Sequence, residues 1–425
     1  MSSGPSPSYR AVLALPGFRR IAASFLLARI GGQTQTVALV LFSLTVFRSP
    51  QIAGLSVFAI LPGQFLSPVA GTLLDRHGRV RLILADYWVA AVGLAVIGGC
   101  ALAGVLSPWL MLALVAASSL TYPLSGAGAR SIWPAIVPRA GWDRANALDS
   151  ASLTAAAIIG PAVAGVLVAT VGARGTLLLV AAAFAAAAAL LTGVRVPEGA
   201  PATTGPLLRD AAAGLGYVLA HPTLRSLAIA LSISGIGWGI LTVGLPVLVL
   251  HRLHDGPAVV GLLWALSGAA GVSSGLVAGH RGTHDRERRV IVRMLILNAL
   301  GLVPVLLAAT PAVELTVGRT ASLLLAALGA VVLGGADGPL TTAMFSMRQR
   351  RTDPAWYGRA FAVSMSLNYA GTPLGAGIGG TLVAASLVGA LGAATALAVL
   401  AAAAAAWLLP GTHRPPDGAP AAGAG

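Results

Sequence analysis

The stretch Gly71-Thr72-Leu73-Leu74-Asp75-Arg76-His77-Gly78-Arg79-Val80-Arg81 places one aspartate and three arginines between two long apolar runs. The chain around it is 56% hydrophobic and only 9% charged, with a mean hydropathy of +0.85. A soluble domain carries about 25% charged residues. Apolar runs of roughly 20 residues recur along the whole length, which is what a helix needs to cross about 30 Å of hydrocarbon. The sequence therefore reads as an all-α polytopic membrane protein, and the charged stretch as a turn between two membrane helices.

Twelve spans are predicted: 21–42, 52–74, 82–106, 109–129, 148–171 and 176–194, then 224–250, 259–278, 290–309, 321–344, 361–383 and 387–409. Arginine placement checks the count. Arg48, Arg174, Arg252 and Arg319 fall at one end of the spans and Arg29 lies inside the first, while every other arginine falls at the opposite end. Positive charge is retained on the cytoplasmic side of membranes, so both termini are expected in the cytoplasm of a bacterial cell. The expected organisation is an N-terminal six-helix bundle (1–194), a cytoplasmic connector (195–223), a C-terminal six-helix bundle (224–409) and a disordered cytoplasmic tail (410–425).

The same composition excludes other classes. The net charge of +14 is spread over alternate short loops, not gathered into the patch or stripe a nucleic acid requires. All 27 basic residues are arginine, so no Walker A lysine exists and ATP hydrolysis by a P-loop is ruled out. The single Cys100 precludes an intramolecular disulfide. The first 20 residues lack a small-residue cleavage site after a short apolar region, so the first span is expected to be an uncleaved helix. No metal or cofactor is expected. Gly271-Val-Ser273-Ser-Gly275 and Gly375-Ala-Gly377-Ile-Gly379-Gly380 match hydrolase and dinucleotide patterns, but both lie inside apolar spans without the strand that such sites need. His251 to Asp255 reads as a solvated loop in preference to a metal site. A membrane enzyme is the rival class, and no motif sits in the context it demands.

An internal repeat is visible. Gly71 to Arg79 is echoed by Gly275-Leu-Val277-Ala-Gly279-His280-Arg-Gly282, and Gly160-Pro161 in the fifth span by Pro373 in the eleventh. Two six-helix units related in this way are a recurring plan of secondary transporters. Here the sequence resembles the major facilitator superfamily, whose turn between helices 2 and 3 has the form G-x-L-a-D-r-x-G-r-k. Gly71, Leu73, Asp75, Arg76, Gly78 and Arg79 match, while Val80 stands where a basic residue is usual. The resemblance implies two pseudo-symmetric bundles that rock about a central cavity, with Gly71, Asp75, Arg76, Gly78 and Arg79 forming a conformational gate. The alternative, that the arginines only fix topology, remains open at this stage.

The fifth span carries Ile158-Ile-Gly160-Pro161-Ala-Val-Ala164-Gly165, similar to the antiporter motif of drug exporters at Gly160, Pro161 and Gly165, with Ala164 in place of a glycine. The segments 28–55, 130–165 and 347–363 resemble the macrolide- and enterobactin-type exporter branch. This implies export of a small lipophilic compound against protons by a monomer in the lipid bilayer, with import or uniport of a nutrient as the alternative. In that fold helices 1, 4, 7 and 10 line the cavity. Candidate lining residues are Gln33 and Thr36 in span 1, Ser119 and Tyr122 in span 4, Trp238 in span 7, Thr341 in span 10 and Asn368 with Ser364 in span 11. Asp337 and Arg29, opposite charges at one depth, are expected to pair and to carry proton coupling, since an ionised group mid-span costs roughly 2.5–3.5 kcal/mol; a static pair is the alternative. Asp86 and Asp149 are expected to cap helices or pair with loop arginines.

Overall fold

A computed structural model of the chain describes residues 8–66, 70, 73–74, 76–194, 196, 207–283, 286–353 and 356–411. Nine helices among them are long and apolar enough to cross a membrane. We number the crossings α1 (Phe18–Thr45), α2 (Pro50–Phe58, resuming as Leu61–Phe65), α3 (Arg79–Leu102) and α4 (Pro108–Ser119, resuming as Tyr122–Ile136). The stretch Trp142–Leu191, broken at Gly172, is α5 and α6, and α7 (Pro222–Val247), α8 (Pro257–Arg281), α9 (Glu287–Ala309), α10 (Pro311–Arg351, broken at Gly318, its crossing running from there), α11 (Tyr357–Ala385) and α12 (Leu387–Leu408) complete the twelve.

The local chemistry of proline and glycine sets these boundaries. Pro50, Pro108, Pro222, Pro257 and Pro311 each open a helix, where the missing N–H is no loss. Inside a span the same residue breaks the ladder. The second and fourth spans, expected to be unbroken, are both interrupted: α2 at Ala59–Ile60, before Pro62, and α4 at Leu120–Thr121, before Pro123. Pro123 cannot donate to the Ser119 carbonyl, and that oxygen lies instead against Gly63 of α2. The two breaks therefore answer each other across one helix contact.

Gly172 divides Trp142–Leu191 into a helical hairpin. Its φ of 76° is open to glycine at little steric cost. Partners along α1 show the reversal. Residues 29 and 34 meet 149 and 160, rising together, whereas Arg20 and Ser24 bond to the carbonyls of Thr192 (2.9 Å) and Ala187 (2.7 Å), falling. The chain doubles back at residue 172, which makes α5 parallel and α6 antiparallel to α1.

The helices meet along glycines. On α11, Gly371, Gly375 and Gly379 face Ser232, Ile236 and Ile240 of α7, so the four-residue glycine spacing is a packing seam. On α10, Gly334 and Gly338 face Ser267 and Gly271 of α8. Each seam brings backbone against backbone, the contact that holds helices together where lipid offers apolar side chains nothing to gain by association.

Two further seams join the first six helices to the last six. A methyl group on Gly165 of α5 would lie 2.7 Å from the Pro257 carbonyl oxygen of α8, and one on Gly380 of α11 would lie 2.6 Å from that of Pro50 in α2. Both seams sit at the arginine-poor end, beside the loops of Arg48 and Arg252. The two loops there match as well: Arg48 (φ 51°) and His254 (φ 50°) are the non-glycine residues with positive φ among the described residues, each shortly before a helix-opening proline. Asp255 in the second loop pairs with Arg319 at 2.8 Å. Hydrogen bonds from Arg319 and the Gly256 N–H hold its carboxyl below the usual range, so this tie loosens only as pH falls through that lowered value. At the arginine-rich end Arg288 and Arg351 reach the C-terminal carbonyls of α12 and beyond, at Leu409 (2.8 Å) and Pro410 (3.2 Å), complementing the helix dipole.

The seams predict a sharp contrast between glycines. Gly375→Leu, whose Cβ already overlaps the Ile236 backbone, is expected to abolish the monodisperse peak of detergent-solubilised protein, since overpacking costs about 1–3 kcal/mol even against movable side chains. Gly335→Ala, with nothing within 4 Å, should match or exceed the parent in thermal stability. Equal behaviour of the two variants would contradict the seam assignment.

Candidate functional site

Asp337 differs from Asp86 and Asp149, the other aspartates described in the spans. On α10, Leu324, Leu328 and Val331 form an exposed apolar stripe of the kind that faces lipid. Asp337 follows Val331 by six residues, about 240° around the helix at 100° per residue, so it points away from that stripe. Its side chain is exposed yet surrounded by the bulk of the protein. A recess reached by water within the helix assembly satisfies both observations. Among the described residues Asp337 has no hydrogen bond and no ion pair.

The expected partner of Asp337 is elsewhere. Arg29 of α1 pairs with Asp149 of α5 at 2.8 Å, donates also to the Asp149 carbonyl (3.1 Å) and to the Ser152 hydroxyl, and lies 5.9 Å from the Phe25 ring. The Trp133 indole of α4 donates to the same Asp149 oxygen at 2.8 Å. The side chains of Arg29 and Asp149 are 16% and 11% exposed, so a three-helix polar knot closes inside the first bundle. The pairing of Arg29 with Asp337 is thereby corrected. Equal depth placed them at one level, but α1 packs directly on α5, and a buried guanidinium takes the carboxylate its own bundle supplies.

Asp86 of α3 is 5% exposed and accepts from the Thr121 hydroxyl at 2.7 Å, at the break in α4. It caps no helix end; it bonds across two helices. Arg348, counted above among the loop arginines, is the largest fully buried side chain. It donates to the Met365 sulfur at 2.7 Å. With the Asn368 amide oriented to satisfy both of its ends, Arg348 also donates to that oxygen, and the Asn368 nitrogen donates to the Ser364 carbonyl at 3.3 Å. Asn368 is 8% exposed and is thus committed to α10–α11 packing. The signal in sequence is the stripe 337, 341, 344, 348, spaced i, i+4, i+7, i+11 on one helix face.

The remaining lining candidates divide. Gln33 is exposed and Thr36 half-buried, its hydroxyl bonded back to Gly32 (3.2 Å). Tyr122 is exposed and Thr341 half-buried. Ser119 is buried, with its hydroxyl donated to the Ala116 carbonyl at 2.7 Å, so it presents no free donor. Trp238 is half-buried against Trp264 of α8, ring centroids 5.7 Å apart.

Of the turn quoted at the outset, Gly71 and Asp75 lie outside the described residues. Arg76 is exposed, Arg79 half-buried, and Gly78 turns the chain into α3 with φ 87°. Its counterpart Gly282 has φ 68° at the end of α8, so the repeat extends to backbone conformation. The fifth-span glycines serve two partners. The Gly160 carbonyl accepts from Thr34 of α1 at 3.0 Å, while Gly165 and the Pro161 carbonyl abut Gly261 of α8 across the bundle interface.

The family model described as Major Facilitator Superfamily matches residues 21–325 and 227–424. The chain belongs to the major facilitator superfamily. Within it, the chain is 39% identical over 380 residues to the uncharacterized MFS-type transporter y4rN of Sinorhizobium fredii, covering 87% of this chain and 89% of that one. It is 32% identical over 338 residues to the multidrug efflux pump Tap of Mycobacterium bovis, covering 74% of each. Solved structures share the fold at low identity. A bacterial homologue of the iron transporter ferroportin in an inward-facing state matches with TM-score 0.67 at 18% identity, over 91% of this chain and 97% of that one. The nucleoside transporter NupG matches with TM-score 0.68 at 14% identity, over 92% and 97%. The protein is a multi-pass membrane transporter of this superfamily.

The polar knot carries a prediction. Removing one partner of a buried pair leaves the other charge uncompensated, at about 3–5 kcal/mol. Arg29→Gln and Asp149→Asn should each lower thermal stability, and the double variant should be less destabilised than the sum of the singles. Additive losses in that double-mutant cycle would contradict a direct pair.

Proposed function

We propose that this transporter exports a small lipophilic compound in exchange for protons, and that Asp337 is the proton-exchanging group. The observation that carries the proposal is the isolation of Asp337, a carboxyl inside the membrane domain with no cation to hold it ionised and with access to water. An ionisable group placed so is expensive unless it is used. Arg29, relieved of that role by its bond to Asp149, is proposed to hold α1, α4 and α5 together.

The glycine seams close the arginine-poor end, so the recess at Asp337 opens toward the arginine-rich end. With arginine retained on the cytoplasmic side, that opening faces the cytoplasm and both termini lie there, in the bacterial cytoplasmic membrane. An exporter loads from this side. Gln33, Thr36, Tyr122, Trp238 and Thr341, neutral and partly aromatic, suit a lipophilic substrate better than a polyanion. The likeness to the multidrug efflux pump Tap supports the same direction. Gly71, Asp75, Arg76, Gly78 and Arg79 are proposed as the gate that closes the arginine-rich end when Gly165, Gly261, Gly54 and Gly380 part at the other. The working unit is proposed to be a monomer in the bilayer.

Cells expressing the parent protein are expected to accumulate less of at least one dye in a panel of fluorescent lipophilic compounds than cells without it. Asp337→Asn, or a protonophore, should return accumulation to the level of cells lacking the transporter. If Asp337→Asn exported as well as the parent and stayed sensitive to the protonophore, coupling would have to reside elsewhere. Higher dye accumulation with the parent would instead favour import.

A further inference from the structure

A small recess lies between α7, α9, α10 and α12, lined by Ser234, Trp238, Leu241, Asn298, Leu333 and Ala398. The centre of a water-sized sphere can occupy about 20 Å³ of it. One water needs about 10–15 Å³ on that measure, so the recess fits one water and excludes a drug-sized substrate. Its polar lining is unspent. Asn298 is 7% exposed and its Oδ1 is buried without a hydrogen-bond partner. Among the described residues the Asn298 amide nitrogen, the Ser234 hydroxyl and the Trp238 indole N–H also donate to no protein group. A buried amide oxygen such as that of Asn298 is found paired with protein or with ordered water, and the half-buried Ser234 and Trp238 offer such a water donors. A wholly apolar void stays dry, but one with an amide and a hydroxyl in an otherwise apolar wall holds a water that bonds to both.

The recess is also close to the proposed proton site. Leu333, in its wall, precedes Asp337 by four residues, one turn along the same side of α10 and about 6 Å along the axis. Among the described residues no protein donor reaches Asp337 and no other ionisable group acts on it. Its ionised form must therefore take its hydrogen bonds from water.

We infer that this recess is a hydration site, one ordered water held by the Asn298 amide and the Ser234 hydroxyl, and that this water helps solvate the Asp337 carboxylate after its proton leaves. The first half stands on the recess alone; the second rests on the proton-exchange role proposed for Asp337.

The test has two parts. A structure of the full chain at a resolution that shows waters should contain density within hydrogen-bonding distance of the Asn298 amide and the Ser234 hydroxyl. The pH profile of protonophore-sensitive export of the same dye should then move toward higher pH in Asn298→Leu, because the ionised carboxyl has lost a solvating neighbour, with dye affinity unchanged. Ser234→Ala should move it the same way by less, and serves where the larger substitution fails to fold. An empty recess, or variant profiles that overlay the parent, would overturn the inference. Water present with Asp337→Asn still fully coupled would leave the hydration site standing and remove its link to Asp337. Coupling lost in Asp337→Asn with an empty recess would overturn the hydration site and leave the proton-exchange role of Asp337 standing.

Discussion

Close approach of backbones through glycine is the constraint on which this structure depends. In water a helix is driven onto its neighbour by the gain from burying apolar side chains. Lipid removes that gain, and association falls to packing and hydrogen bonds. Gly371, Gly375 and Gly379 against α7, and Gly334 and Gly338 against α8, give the last six helices their internal order. The same chemistry joins the two bundles at Gly165–Gly261 and Gly54–Gly380. These contacts are mainly backbone against backbone, with the Phe58 ring seated on Gly377 and the Ile158 side chain on Gly268 beside them, a shallow fit that suits an interface proposed to part during transport.

Charge is used as sparingly as side-chain bulk. Asp149 is held by Arg29 and Trp133 and serves the architecture of one bundle. Asp86 is held by a hydroxyl at the broken fourth helix. Arg348 is enclosed by Met365 and Asn368. Asp337 alone among these has no hydrogen bond and no ion pair among the described residues. A paired charge deep in the protein resists a change of protonation and an unpaired one invites it, which is why the proton-exchange role is proposed for Asp337.

Sequence shows most of the fold and less of the site. The twelve spans, the arginine asymmetry and the half-repeat were legible because bilayer thickness imposes a length and topology imposes a sign. The interruptions at Pro62 and Pro123 were not, because proline in a membrane helix is tolerated or disruptive according to what surrounds the freed carbonyl; here that of Ser119 lies against Gly63. Arg29 and Asp337 were legible as embedded charges, but the bond of Arg29 to Asp149 was not. Depth follows from counting residues, whereas partnership needs the packing of α1 on α5. Arg348 was concealed by its place near the arginine-rich end, where an arginine is ordinarily solvated. The free polar groups of Asn298 and Ser234 have no signature in sequence, because a missing partner is a property of three-dimensional arrangement alone.

The central claim is that the seams at the arginine-poor end open while the opposite end closes. Double electron–electron resonance tests it directly. With Cys100→Ser removing the one native thiol, spin labels can be placed at the exposed positions Val105 and Ala258 for the arginine-poor end, and His77 and Arg281 for the other. The account predicts a short distance at the first pair and a long one at the second without substrate, and the opposite order in a population that grows with exported substrate and a change of pH. A distance between Val105 and Ala258 that never lengthens under any condition that supports transport would contradict it.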